Sequence, residues 1–130
     1  MSVGVIDAGV AVGWIHGRPR SLGRVERLFA GSRGGKLDLV MSVVNLAEVL
    51  RHTADVCRAT GADAVALLRA TGVRFHEPDE PVARRVAALR TSLGDAFAAA
   101  TALELGARLH TTDGELVKAL RGVRIVVTHY

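Results

Sequence analysis

The chain has 130 residues, 49% hydrophobic but only 4% aromatic, with 17 basic against 13 acidic side chains. That length suits one domain, residues 1–130, with a core of Val, Leu, Ile and Ala rather than rings. A lone cysteine, Cys57, excludes an internal disulfide, and no apolar run reaches the ~20 residues of a membrane span. The apolar N-terminus carries Asp7 and no basic leader, unlike a signal peptide, so the reading is a cytoplasmic protein. Cys57 reads as a buried thiol, and Trp14 and Phe97 read as core. Apart from Lys36 and Lys118 the bases are all Arg, which suits a polyanionic partner and equally an Arg-rich coding bias.

In chain order, short β-rich runs alternate with helical periodicity. Val3 to Ile6 reads as the first strand, and Arg20 to Ala30 as a helix with Leu22, Val25, Leu28 and Phe29 on one face. Leu37 to Met41 is a second strand, followed by a helical pair, Val43 to Arg58 and Ala62 to Ala70, broken at Gly61. Val73 to His76 is a third strand, and Glu80 to Leu93 a helix striped by Val82, Val86 and Leu89. The Ala-rich helix Asp95 to Leu105 closes at Gly106. Arg108 to Thr111, Glu115 to Leu120 and Val123 to Thr128 complete the set as strand, helix and strand. The alternation predicts an α/β domain, a largely parallel central sheet flanked by helices.

Asp7 and Asp113 each stand where a strand ends and a helix begins. In a parallel sheet such junctions collect on one edge, where open α/β folds bind ligands. Asp95 joins them if its helix points its N-terminus at that rim. Each aspartate has a plainer reading as a helix N-cap, worth ~1 kcal/mol. For Asp113 a capping box of Thr112 and Glu115 would make its carboxylate unnecessary as a cap. Glu48 lies in the mostly apolar MSVVNLAEVLR and shares a helix face with Asn45 and His52. It either serves a site or pairs with Arg51 or His52.

Together the acids suit Mg²⁺, which takes oxygen ligands and keeps several waters. A bound cation would offset the repulsion between this cluster and a phosphodiester. The histidines show no zinc-ligand spacing, and no glycine motif ending in Lys-Ser/Thr marks an NTPase.

Four stretches resemble the PIN-domain nucleases and, within them, the VapC-type toxins of bacterial toxin–antitoxin pairs. VIDAG resembles the family's opening strand with its first Asp, here Asp7, and SVVNLAEVL its Asn-x-x-Glu helix, here Asn45 and Glu48. SLGDAFAAATAL is similar to its central helix start, here Asp95, and LHTTDGEL to its closing turn, here Thr111 and Asp113. The resemblance spans almost the whole chain. It implies a PIN fold and an endoribonuclease in which Asp7, Glu48, Asp95 and Asp113 hold Mg²⁺ or Mn²⁺ and act on RNA. Asn45 and Thr111 would support these acids by hydrogen bonds. It further implies a homodimer and a cognate VapB-type antitoxin as partner. One position departs: the residue two after the first Asp is often Ser, Thr or Asn in the family, and here it is Gly9.

Two other functions fit some of these residues. Phosphoryl transfer through an aspartyl phosphate would use Asp7, but the acid that such enzymes place two residues later is Gly9. A catalytically inactive PIN-like module binding RNA or antitoxin is the other, favoured by the same glycine. For phosphate contacts the candidates are Arg18 and Arg20, in a basic stretch with Arg24 and Arg27, and Arg51, near Glu48.

Overall fold

The computed structural model describes residues 2–18 and 22–130. The elements run β1 (Ser2–Ile6), α1 (Ala8–His16), α2 (Leu22–Arg33), β2 (Leu37–Ser42), α3 (Val43–Thr60), α4 (Ala64–Ala70) and β3 (Arg74–His76). They continue with α5 (Glu80–Ala88), α6 (Leu93–Leu105), β4 (Arg108–Thr111), α7 (Gly114–Ala119) and β5 (Val127–His129). The five strands form one sheet in the order β3-β2-β1-β4-β5, every neighbouring pair parallel.

The order places β1 at the centre. The chain builds outward from β1 through β2 to β3, then returns through α5 and α6 to lay β4 on the other side of β1. Strand order therefore reverses between β1 and β4. At such a switch point the loops leaving the two carboxyl ends diverge and open a crevice. Asp7 leaves β1 there, and Thr111 to Asp113 leave β4.

Side chains alternate across the sheet and feed two apolar layers. Ile6, Leu39 and Met41 face one layer with Val10, Val25, Phe29, Val49 and Leu68 from the first four helices. Val5, Val40 and Leu109 face the other, against Ala98, Ala99 and Ala102 of α6 and Leu116 of α7. Alanines on the sheet-facing side of α6 let the helix axis approach closely. Gly61 and Gly106 end α3 and α6 at φ 70° and 61°, a left-handed turn that side chains with a Cβ resist.

Several expected boundaries shift. Helix α5 stops at Ala88 rather than Leu93, because Leu89 turns extended (φ −93°, ψ 137°) and Ser92 begins a separate helix. The last strand is Val127–His129, not Val123 to Thr128. Val123 and Ile125 close a tight turn on themselves, with Ile125 N donating to Val123 O at 2.9 Å. Helix α2 runs on to Arg33, and its expected first residues include Arg20, which lies outside the described residues. Trp14 packs on Phe29 with ring centroids 4.4 Å apart, whereas Phe97 is only half-buried and belongs to neither apolar layer. Cys57 is also only partly buried, lying against the first layer. No described helix is long and apolar enough to cross a membrane.

Candidate active site

Asp7 follows β1 directly and is the N-cap of α1. One carboxylate oxygen, Oδ1, accepts from Val10 N at 3.0 Å, and the other, Oδ2, accepts from the Thr111 hydroxyl. Both oxygens are thus aimed before any ligand arrives. The residue is almost fully buried, and that burial pushes its carboxyl above the usual carboxylate range against the lowering effect of its hydrogen bonds.

Thr111 also works in the other direction. Its oxygen accepts from Asp113 N at 2.9 Å, so one hydroxyl ties together the ends of β1 and β4. Asp113 caps α7: its Oδ1 accepts from Glu115 N at 2.8 Å and Leu116 N at 3.4 Å. The expected Thr112–Glu115 capping box does not form, because the aspartate one residue nearer the helix takes both amides. Thr112 instead donates its backbone N–H toward Asp7.

Asp95 occupies the first turn of α6, whose cap is Ser92 rather than Asp95. The Ser92 hydroxyl accepts from Asp95 N at 3.4 Å and frees the aspartate side chain. That side chain is hydrogen-bonded to Asp113. Burial, then the bond and charge of Asp113, push the Asp95 carboxyl up to about 6, while the same bond holds Asp113 below its ordinary value. The two carboxyls therefore titrate together, Asp95 taking up a proton before Asp113 does.

Glu48 comes from α3. Asn45 Nδ2 donates to Glu48 Oε1 at 2.8 Å and to Gly94 O at 2.9 Å, binding α3 to the start of α6. Neither Arg51 nor His52 pairs with Glu48; Asn45 is its partner. Glu48 also explains Gly94. A Cβ there would fall 2.6 Å from Glu48 Oε2 and closer still to Oε1, so the carboxylate packs directly on glycine backbone.

Asp7, Glu48, Asp95 and Asp113 line one cleft of about 520 Å³, with Arg18, His52 and Thr112 on its wall. Four elements distant in sequence therefore bring their acids to the switch point of the sheet. Arg51 is exposed and does not line this cleft. Among the described residues no three His, Cys, Asp or Glu side chains converge tightly enough to ligate one ion directly. The donor set nevertheless fits a hard divalent cation. It is all oxygen, Mg²⁺ needs only one or two direct carboxylates beside its waters, and the mutual repulsion that raises Asp95 beside Asp113 is what a cation would relieve.

Gly9 has a structural counterpart that sequence reading missed. A Cβ built at position 9 would overlap the Thr112 hydroxyl oxygen, which takes up part of the space a side chain there would fill. The rim beside Asp7 keeps its hydroxyl, supplied from the β4 side. Gly94 and Ser92 were missed as well, although Ser92 standing three residues before Asp95 is a capping spacing visible in the sequence.

The sequence matches the family model described as the PIN domain over residues 4–121. The chain belongs to the PIN-domain family. Solved structures agree on the fold. This PIN domain is similar to a toxin–antitoxin complex from Klebsiella pneumoniae at 18% identity and TM-score 0.70, over 98% of each chain. It is similar to VapBC2 from Rickettsia felis, bound to a promoter DNA fragment, at 13% identity and TM-score 0.72, again over 98% of each chain. A third likeness is to VapC20 from Mycobacterium tuberculosis, a Sarcin-Ricin loop cleaving toxin. There the identity is 20% and the TM-score 0.67, over 89% of this chain and 94% of that one. No curated protein sequence gives a significant match.

Proposed function

We propose that this PIN domain is a Mg²⁺- or Mn²⁺-dependent endoribonuclease, the toxin of a cytoplasmic toxin–antitoxin pair that is held by a VapB-type antitoxin and forms a homodimer. The observation that carries the nuclease reading is the convergence of Asp7, Glu48, Asp95 and Asp113 on one cleft. Similarity to VapBC complexes and to a toxin that cleaves the Sarcin-Ricin loop supports the partner and the RNA substrate.

In this reading a backbone phosphate enters beside Arg18, whose guanidinium offsets its charge. Thr111 and the α1 amide keep the two Asp7 oxygens fixed, so the acid needs no reorganisation on binding. Asn45 does the same for Glu48, and the α7 amides for Asp113. A cation held by these acids would lower the pKa of a water and shield the phosphoryl oxygens. Hydrolysis bonds the water oxygen to phosphorus and breaks the bond to one ribose oxygen; the water's proton passes to the acidic cluster, and a proton is delivered to the leaving oxygen. The Thr112 hydroxyl beside Asp7 removes the argument that Gly9 leaves the rim bare, and so weighs against the inactive-module reading.

The experiment is RNA cleavage by the purified protein, by Asp7→Asn and by Asp95→Asn, with MgCl₂ or MnCl₂ and with EDTA. Asparagine can still cap α1 at position 7, and Asp95 caps no helix, so folding should be retained in both variants. Loss of cleavage in both variants and in EDTA is expected. Equal cleavage in all four samples refutes the assignment.

A further inference from the structure

Beside the carboxylate cleft lies a second cavity of about 380 Å³. Gly9, Arg18 and Thr112 belong to both walls, so the two hollows share a border. The second differs in character. Trp14, His129 and Tyr130 line it together with Val10 and Val25, and no acid is among its lining residues.

Its two largest rings are fixed in advance. Trp14 packs against Phe29, with centroids 4.4 Å apart. The Tyr130 hydroxyl lies 2.9 Å from His110 Nδ1, its backbone N donates to Thr111 O at 2.9 Å, and the Arg24 guanidinium sits 4.7 Å from its ring centroid. His129 adds a polar edge, with Nε2 3.4 Å from the Thr112 carbonyl. Held rings with a polar edge are what a flat heterocycle needs: faces to stack on and groups to read its rim. A greasy side chain would need neither the edge nor the adjoining cationic border.

We propose that this cavity is a nucleobase pocket, taking the unpaired base next to the phosphate bound at the carboxylates. The proposal rests on the nuclease reading, since that places the phosphodiester on the far side of Arg18 and Thr112. It assigns to the protein a single-stranded or flipped-out substrate, because a base stacked in a duplex cannot enter a side cavity.

The molecule supplies its own reporter and its own plug. Trp14 is the only tryptophan, so its emission reports on this cavity alone. Gly13 lines the same cavity from within α1, and a Cβ built there meets nothing within 4 Å. Gly13→Leu should therefore fill the pocket while favouring the helix.

The test titrates Asp95→Asn protein, with and without Gly13→Leu, with octauridylate and with its abasic counterpart, reading Trp14 emission. Octauridylate should quench Trp14 saturably, and the abasic strand should bind about tenfold more weakly, the loss of one stacked base. Gly13→Leu should weaken octauridylate to the level of the abasic strand and leave the abasic strand unchanged. Equal affinity for the two strands, indifference to Gly13→Leu, or no binding of either strand overturns the proposal; the first would leave the cavity to an apolar side chain of a partner protein. None of these readouts requires cleavage. A wild-type protein that cleaves no RNA but passes this test defeats the nuclease reading alone, and one that cleaves RNA but fails it defeats the pocket alone.

Discussion

Replacing Gly94 by alanine asks whether the Glu48 carboxylate must stay where it packs. The new Cβ would stand 2.6 Å from Oε2 and nearer to Oε1, well inside contact distance, so the glutamate must swing away. Swinging breaks its 2.8 Å hydrogen bond from Asn45. A bond to a charged acceptor contributes about 1.5–3 kcal/mol, and alanine in a helix regains up to about 1. The metal-free protein should lose about 1 kcal/mol, or about 4 °C in Tm for a domain of this size. Cation affinity should fall further. Displacing a group that orients a metal site typically costs about 10- to 100-fold in affinity. At saturating Mn²⁺ that removes about 1.4–2.8 kcal/mol of metal-induced stabilisation. The assay is thermal denaturation of wild type, Gly94→Ala and Glu48→Gln in EDTA and across a MnCl₂ titration. Both variants should show a smaller metal-induced rise in Tm. If Gly94→Ala keeps the full rise, Glu48 has no part in holding the cation, and the reasoning fails.

Three further outcomes are expected. Gly9→Ser should destabilise the protein by about 1 kcal/mol through overlap with the Thr112 hydroxyl, and Thr112→Ala should rescue it; strictly additive urea-denaturation energies would contradict this pairing. Thr111→Val removes the donor to Asp7 and the acceptor for Asp113 N, so it should cost about 1–3 kcal/mol and slow RNA cleavage about 10- to 100-fold, while Thr111→Ser retains both. His110 is buried, and burial lowers its pKa from 6.5 to about 4, so the unfolded chain takes up a proton first as pH falls. Its contribution to stability is complete above pH 6.5 and fades towards pH 4, by about 3 kcal/mol at most. Urea melts across that range should show a shallower decline in His110→Phe, and an unchanged decline would exclude His110 as the cause.

Much of this architecture is written locally. A short apolar strand followed at once by an acid marks Asp7, and a strand, turn and cap mark Asp113, since both patterns depend only on neighbours in the chain. Glu48 stood out because a carboxylate on an apolar helix face needs a reason. The missed features depend on distant partners. Nothing near Gly9 announces that Thr112 will fill its empty side, and nothing near Gly94 announces Glu48; each glycine reads alone as a flexible residue. The break between α5 and α6 was hidden because Leu89, Arg90 and Thr91 carry no proline or glycine, so helical periodicity ran through them. The last strand was misplaced because the apolar run Val123 to Val127 suits a strand, while its first half serves to fold the chain back onto the apolar layer beneath α7.

The central position of β1 ties the acidic crevice to contacts that are remote along the chain. Asp7 follows the first strand, whereas the Thr111 hydroxyl that aims it lies 104 residues further on, at the end of the strand that flanks β1 on the other side from β2. Closing the crevice therefore carries the entropy cost of a long loop, and no fragment that lacks β4 can orient Asp7 in this way.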